Sequence, residues 1–457
     1  MLQAGPDGFT GALLRPGDDG YEQARRVWNG AIDRHPAFIA RCRSSADVSA
    51  MVRFGVRHGL VMAVRGGGHS IPGLSMCEGG LVIDLTEMKS IRIDPAGGLA
   101  DVEPGVVWRE LDAATQRHGF AVPGGEVSDT GVAGLTLGGG VGWLSRAYGL
   151  ACDNLVTAEL VTADGEIRQI DEQEAPELMW GLRGGGGNFG VVTRFTFRLN
   201  PVPVPIYAGM VMHPLDRARD ALRAFLDLAD VAPDALGLNA ALVTAPPAPF
   251  VPSELHGKPV VVLAAGYIGS LAEGAEQVRP LREFSAPVFD TFGPMPYTAL
   301  QSMVDQAVPF GLPNYTRSEW LRPLDDAGID ALLRAAADMS SPLSQVLLRI
   351  MGGAIARVPT DATAFRFRDA AAMLTCAALW PDPAAPGTQH REWAHTAWNR
   401  LRPWSAGGGY VNHLGEEGPG RVREAYGEQT WTRLVALKRG YDPDNVFHLN
   451  QNIPPDG

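Results

Sequence analysis

The sequence predicts a mixed α+β protein built in two parts, and three observations predict it. Short apolar runs alternate with helical patterns through the first 200 residues, prolines then recur at Pro201, Pro203 and Pro205, and beyond them longer strands are set among alanine-rich helices. A chain of 457 residues is long enough for two or three cores at about 150 residues per domain.

Ser44-Ser45-Ala46-Asp47 reads as a capping box opening an amphipathic helix over 46–58, with Val48, Met51, Val52 and Val56 on one face. Gly59 ends it, 60–64 and 81–85 read as buried strands, and 106–118 as a second helix. The stretch 155–167 reads as two strands joined by a tight hairpin around Asp164-Gly165. The alternating prolines can continue neither a helix nor the interior of a ladder, so they mark a boundary. Past it come helices over 216–230 and 325–339 and strands over 259–265 and 346–350; from Gly407 the chain is glycine-rich again. The expected domains are therefore 1–205, 206–406, and a segment 407–457 that returns to the first.

Lys and Arg number 39 against 51 Asp and Glu, a net charge of −12, which argues against nucleic acid or an anionic membrane as partner. No run of about 18 apolar residues is available to span a bilayer. Cys42, Cys77, Cys152 and Cys376 are far apart and have no metal-type spacing, so no metal site and a reducing, cytoplasmic setting are expected.

Three glycine clusters dominate the first part: Arg65 to Ser70, Thr130 to Gly142, and Arg183 to Gly190. Consecutive glycines let backbone N–H groups close around an anion, although one such run alone is more often a turn or bulge. None ends in the GK[ST] of a phosphate-binding P-loop, and 138–142 lacks the GxGxxG spacing of a dinucleotide-binding βαβ unit. Three clusters in one domain call for a long ligand with several polar parts.

The stretch 38–204, with VRGGGHS at 64–70, DTGVAGLTLGGGVGWL at 129–144, YGLACDNL at 148–155 and RGGGGNFGVVT at 183–193, resembles the FAD-binding domain of berberine bridge enzyme-like flavoproteins, within the vanillyl-alcohol oxidase (PCMH) type. The closing run YDPDNVF at 441–447, with Asn450 to Ile453, is similar to that family's C-terminus. The resemblance implies a two-part FAD-binding domain and a substrate domain whose antiparallel sheet is covered by helices. It implies FAD joined covalently through His69, where the bare sequence also allows a histidine that only bonds a turn. The place of the family's second, cysteinyl attachment holds Val127-Ser128-Asp129-Thr130, so one link is expected and Cys152 is expected to stay free.

By the same resemblance, Gly66, Gly67, Gly68 and Ser70 wrap the pyrophosphate beside Arg65, Thr130, Gly131, Gly134, Gly138, Gly142 and Trp143 line the cofactor channel, and Gly190 and Val192 approach the adenine end. Asn450 belongs to the closing cofactor contacts. Tyr410 and Asn412 form a Y-x-N element on a returning strand, with Tyr410 either catalytic base or ring anchor. Thr130 is expected at the flavin edge where oxygen reacts. The strand 364–370 departs from the family pattern at Arg366-Phe367, leaving Arg368 as a candidate to place substrate; Tyr315, Trp320, Arg349 and Trp380 are pocket candidates. The implied activity is oxidation of a C–H bond next to oxygen or nitrogen in a bulky, mostly uncharged natural product, or a plain sugar, with O2 as acceptor, by a monomer or homodimer. Oxidative cyclisation, a flavin dehydrogenase, and a catalytically silent flavin-holding protein are the alternatives.

Overall fold

The computed structural model describes residues 6–249 and 251–457, so the first five residues of the expected first domain lie outside the described ones. Among these residues the strands form four sheets. In the first, Phe38–Arg41, Leu81–Asp84 and Met62–Arg65 run parallel, with Ala12–Leu14 antiparallel at the edge. The helix Ser45–Arg57 covers it, and Ser44 caps this helix by accepting from the Asp47 N–H at 3.2 Å. Val48, Met51 and Val52 are fully buried, but Val56 is 47% exposed, against expectation. The close approach to the sheet is made at Gly55, where an added Cβ would strike Met62, and this turns Val56 to solvent.

The second sheet is antiparallel in the order Ile91–Asp94, Leu99–Val102, Val191–Arg198, Leu155–Val161, Ile167–Ile170, and the last two form the expected hairpin. The helix expected over 106–118 begins at Trp108, because Val107 is extended and its N–H is capped by Glu110 at 2.9 Å. The proline run does not stand wholly outside strands. Asn200–Pro201 pairs with Phe120–Ala121, and the main chain then enters Ile206–Pro214.

That strand belongs to an eight-stranded antiparallel sheet, with Gln345–Ile350, Ala372–Leu379 and Asn314–Leu321 ending its main path. Alternation assigns its faces. Leu238, Leu242, Val346, Leu348, Leu374 and Cys376 pack with Phe225, Leu332 and Trp393 of the helices Ala218–Val231, Asp326–Ala337 and Thr388–Leu401. Thr316, Gln345, Leu347, Arg349, Met373 and Thr375 point the other way, into a cavity.

The stretch 364–370 is irregular rather than a strand, which first begins at Ala372. Its backbone is tied elsewhere: the Ala364 and Phe365 N–H groups donate to the Trp180 and Arg183 carbonyls at the end of Pro176–Leu182. Residues of the closing segment, including Tyr410, Leu414, Tyr426, Trp431 and Ile453, share one core cluster with Trp108 and Phe195. Lys438 holds that segment to the third glycine loop, donating from Nζ to the Asn188 and Phe447 carbonyls and to Asp442. No helix among the described residues is long and apolar enough to cross a membrane.

Candidate functional site

The glycine loops and the inner sheet face line one cavity of about 380 Å³. Gly66, Gly67, Gly68, His69, Ser70, Thr130, Gly131, Gly134, Gly138, Gly190, Val192, Tyr410, Asn412 and Asn450, all expected from the sequence, contribute to its wall. The first two loops are pressed together: a Cβ on Gly67 would strike the Gly131 backbone, and one on Gly131 the Gly67 backbone. Gly68 needs its glycine for another reason, a φ of +72°. A Cβ on Gly134 or Gly187 would meet nothing, so these two face open space.

The wall also holds polar atoms without partners. Among the described residues the buried Tyr426 hydroxyl has no partner, nor has Asn450 Oδ1, while Asn450 Nδ2 donates to the Gly187 and Phe447 carbonyls. Buried polar atoms left unpaired are costly, so they mark places where a ligand's polar groups complete the bonding. A glycine-lined trough with orphaned hydroxyl and amide groups fits the flavin dinucleotide that the motifs imply. The loop at 66–70 would hold its pyrophosphate and the glycines at 131–138 would line its channel, with Tyr426 and Asn450 available for polar contacts.

His69 stands in the cavity wall, its ring stacked on Trp28 at 4.9 Å between centroids and 20° between planes. Its Nε2 lies 2.8 Å from Asp129 Oδ1, and its Nδ1 lies 3.5 Å from Thr130 Oγ1. Both atoms are buried and make no other hydrogen bond among the described residues. Burial pushes the Asp129 carboxyl up, but His69 and Arg109 outweigh it and hold the group below its ordinary value. Trp28 and Asp129 together fix the ring's orientation.

Tyr410 is not on a strand; it precedes a short 3-10 turn, Val411–His413. Its hydroxyl accepts from the Gly140 N–H at 2.8 Å and from Asn412 Nδ2 at 2.8 Å, and Asn412 also donates to the Leu135 carbonyl. Burial pushes the phenol up to about 12 despite these two donors. These two bonds tie Tyr410 to the middle glycine loop, the arrangement expected of an anchor.

Several candidates stand elsewhere. Arg65 is turned inward to the Ala24 carbonyl, away from the cavity. Gly142 is needed because a Cβ would strike the Gly124 carbonyl, and Trp143 packs with Val202 and Tyr297. Arg368 is 1% exposed and clasps Asp153, so it cannot reach substrate. Trp320 stacks on Phe367, Trp380 on His390, and Tyr315 lies under the Arg317 and Arg391 guanidinium groups. Cys152 is fully buried outside the cavity wall, and burial holds its thiol protonated.

Of the substrate-side candidates Arg349 does face the cavity, and it carries a network with it. Arg349 Nε donates to Glu126 Oε2 at 2.5 Å, Asn239 Nδ2 donates to Glu126 Oε1 at 2.8 Å, and Arg349 Nη1 donates to Thr375 Oγ1 at 3.1 Å. Thr375 lies 3.2 Å from His413 Nδ1. Arginine can only donate, so Thr375 accepts from it, and the Thr375 hydroxyl and the His413 ring share a further hydrogen bond. The surroundings of His413 favour its neutral imidazole form. Burial, with the Arg349 charge beside it, brings its pKa down to about 3.

Glu126, Thr375, His413 and Tyr426 were not evident from the sequence. One clue was there: Glu126 and Asp129 are the only charged residues between His118 and Arg146, and Glu126 borders the cavity while Asp129 contacts His69 in its wall. The other three come from distant parts of the chain and have no local signature.

Comparison with known proteins finds FAD-binding relatives over the whole chain. Residues 36–171 match the FAD binding domain family and residues 409–454 the berberine and berberine-like family. The chain is similar to (R)-6-hydroxynicotine oxidase of Paenarthrobacter nicotinovorans, 33% identical over 99% of both chains. It is also similar to an FAD-linked oxidoreductase of Dictyostelium discoideum, 32% identical over 98% of this chain and 96% of that one. The crystal structure of 6-hydroxy-D-nicotine oxidase from Arthrobacter nicotinovorans superposes with a TM-score of 0.88 at 29% identity, covering 99% of each chain.

Proposed function

The chain belongs to the FAD-linked oxidoreductases of the berberine bridge enzyme-like family, and on that premise we propose that it is an oxidase of a small molecule carrying a C–H bond next to oxygen or nitrogen, with O2 as acceptor. The observation that carries this reading is the continuity of the glycine-lined trough with the polar sheet face in one cavity. Cofactor and substrate can then meet without crossing solvent. FAD, when bound, supplies the two-electron acceptor and the reaction with oxygen.

The protein's own residues supply position and polarity. His69, held by Trp28 and Asp129, would be the site of covalent attachment in this reading, and Thr130 beside it would border the bound flavin. Tyr410 and Asn412 hold the middle loop in place. Leu347 and Met373 give the substrate side an apolar wall, and the Glu126–Arg349 pair adds polarity without net charge. A mostly uncharged natural product, cyclic amine or sugar suits such a surface. The four cysteines are free, which supports work in a reducing cytoplasm.

The test is anaerobic mixing of the purified yellow protein with a panel of cyclic amines, including (R)-6-hydroxynicotine, secondary alcohols and oligosaccharides. Bleaching of the visible flavin band, followed by oxygen uptake and peroxide release on admitting air, is the expected result. Bleaching with no oxygen uptake would overturn the oxidase reading in favour of a dehydrogenase, and no bleaching by any class would leave a flavin-holding protein.

A further inference from the structure

The network at the sheet face is left incomplete in a way that names its occupant. Arg349 projects from Gln345–Ile350 between Asn239 on one neighbouring strand and Met373 on the other, a position where a leucine would continue the apolar wall. The arginine is 14% exposed and Glu126 9%, so both charges are largely out of water. A buried ion pair repays its desolvation only when its remaining donors and acceptors are used. Here the pairing is one-armed. Nε binds Glu126 Oε2, and Nη1 binds Thr375, while Nη2, on the same edge as Nε, has no protein partner among the described residues. Glu126 Oε1 receives one bond, from Asn239, and each carboxylate oxygen can accept another.

The cavity is therefore offered a donor and an acceptor side by side. An isolated anion would meet the Glu126 carboxylate, an isolated cation would meet the guanidinium, and an apolar group would leave both unsatisfied. We propose that Arg349 and Glu126 form a recognition pair for a substrate group that presents an acceptor and a donor together, as the C=O and N–H of a cyclic amide do. Arg349 donates to the acceptor, Glu126 accepts from the donor, and Asn239 and Thr375 hold the two in register. The proposal rests on the reading above that substrate lies between this sheet face and the flavin, and it adds the polar group by which substrate is held.

The experiment is calorimetric titration of the flavin-loaded protein with 2-pyridone, and with N-methyl-2-pyridone, which keeps the carbonyl and loses the donor. Flavin content, read from the visible absorption, reports separately on the cofactor reading. 2-Pyridone is expected to bind at least tenfold tighter than its N-methyl analogue. Glu126→Gln and Arg349→Met should each weaken 2-pyridone roughly ten- to hundredfold, the worth of a hydrogen bond to a charged group. The double variant Glu126→Gln with Arg349→Met removes both charges together, so it keeps the measurement meaningful if a single change unfolds the protein. Equal affinity for the two pyridones, no binding of 2-pyridone to flavin-loaded protein, or wild-type affinity in the double variant would each overturn the proposal. A protein without flavin would instead count against the cofactor reading.

Discussion

The Arg368 guanidinium clasps the Asp153 carboxylate at both ends, Nη1 to Oδ2 at 2.6 Å and Nη2 to Oδ1 at 2.7 Å, with the arginine 1% exposed. Nη2 also donates to Thr363 and Nε to the Phe365 carbonyl, so the guanidinium is bound on every nitrogen. The pair ties the irregular stretch before Ala372 to the turn following the middle glycine loop. Arg368→Ala should cost about 3–5 kcal/mol, because it strands a buried carboxylate. Chemical denaturation of the flavin-loaded protein checks this, and flavin reduction in the fraction still folded should be nearly unchanged.

Tyr410→Phe separates anchor from base. As an anchor, the hydroxyl's loss leaves the Gly140 N–H and the Asn412 amide short of an acceptor, a cost of about 1–3 kcal/mol in stability. As a base, its loss would slow flavin reduction by about a hundredfold or more. We expect the stability loss with less than a tenfold change in anaerobic reduction rate, measured by stopped flow.

Attachment of the cofactor is read on a denaturing gel viewed under ultraviolet light. Wild type should give a fluorescent band, His69→Ala none, and Asp129→Asn a weaker band that gains intensity on incubation with FAD, because the ring loses one of the two groups that orient it. A wild-type band without fluorescence refutes the covalent link. Cys152→Ser should match wild type, since that thiol is buried and held protonated.

His413 makes a pH prediction whose sign follows from its environment. The folded pKa of about 3 lies below the unfolded value of 6.5, so the unfolded chain binds the extra proton first. Its stabilising contribution is complete above about pH 6.5 and is lost as pH falls toward 3, with a limiting slope of about 1.4 kcal/mol per pH unit. Denaturation curves of His413→Asn should therefore fall less steeply than wild type between about pH 6 and 4. Parallel curves for the two proteins would contradict this account.

Much of the cofactor side was legible from the chain because its chemistry is written locally. Glycine runs, the His69 that follows one of them, and the Tyr410-Val411-Asn412 element are contiguous, and backbone freedom is a property of the residues themselves. Where that reading went astray, at Arg65, Gly142, Trp143 and Arg368, the residue type was right for a site but its direction was set by packing. Gly142 is a glycine because the Gly124 carbonyl passes close by, not because a ligand does.

The sequence by itself determined the two-part α+β organisation, the cofactor class and most of the trough. Only the tertiary structure assembled the polar group on the sheet face of the cavity. Glu126 comes from a first-domain loop, Arg349 and Thr375 from two strands of the large sheet, and His413 from the closing segment. Their meeting depends on strand register and on the return of the C-terminus, both long-range outcomes of burial, whereas a glycine loop needs only its own backbone to adopt its shape.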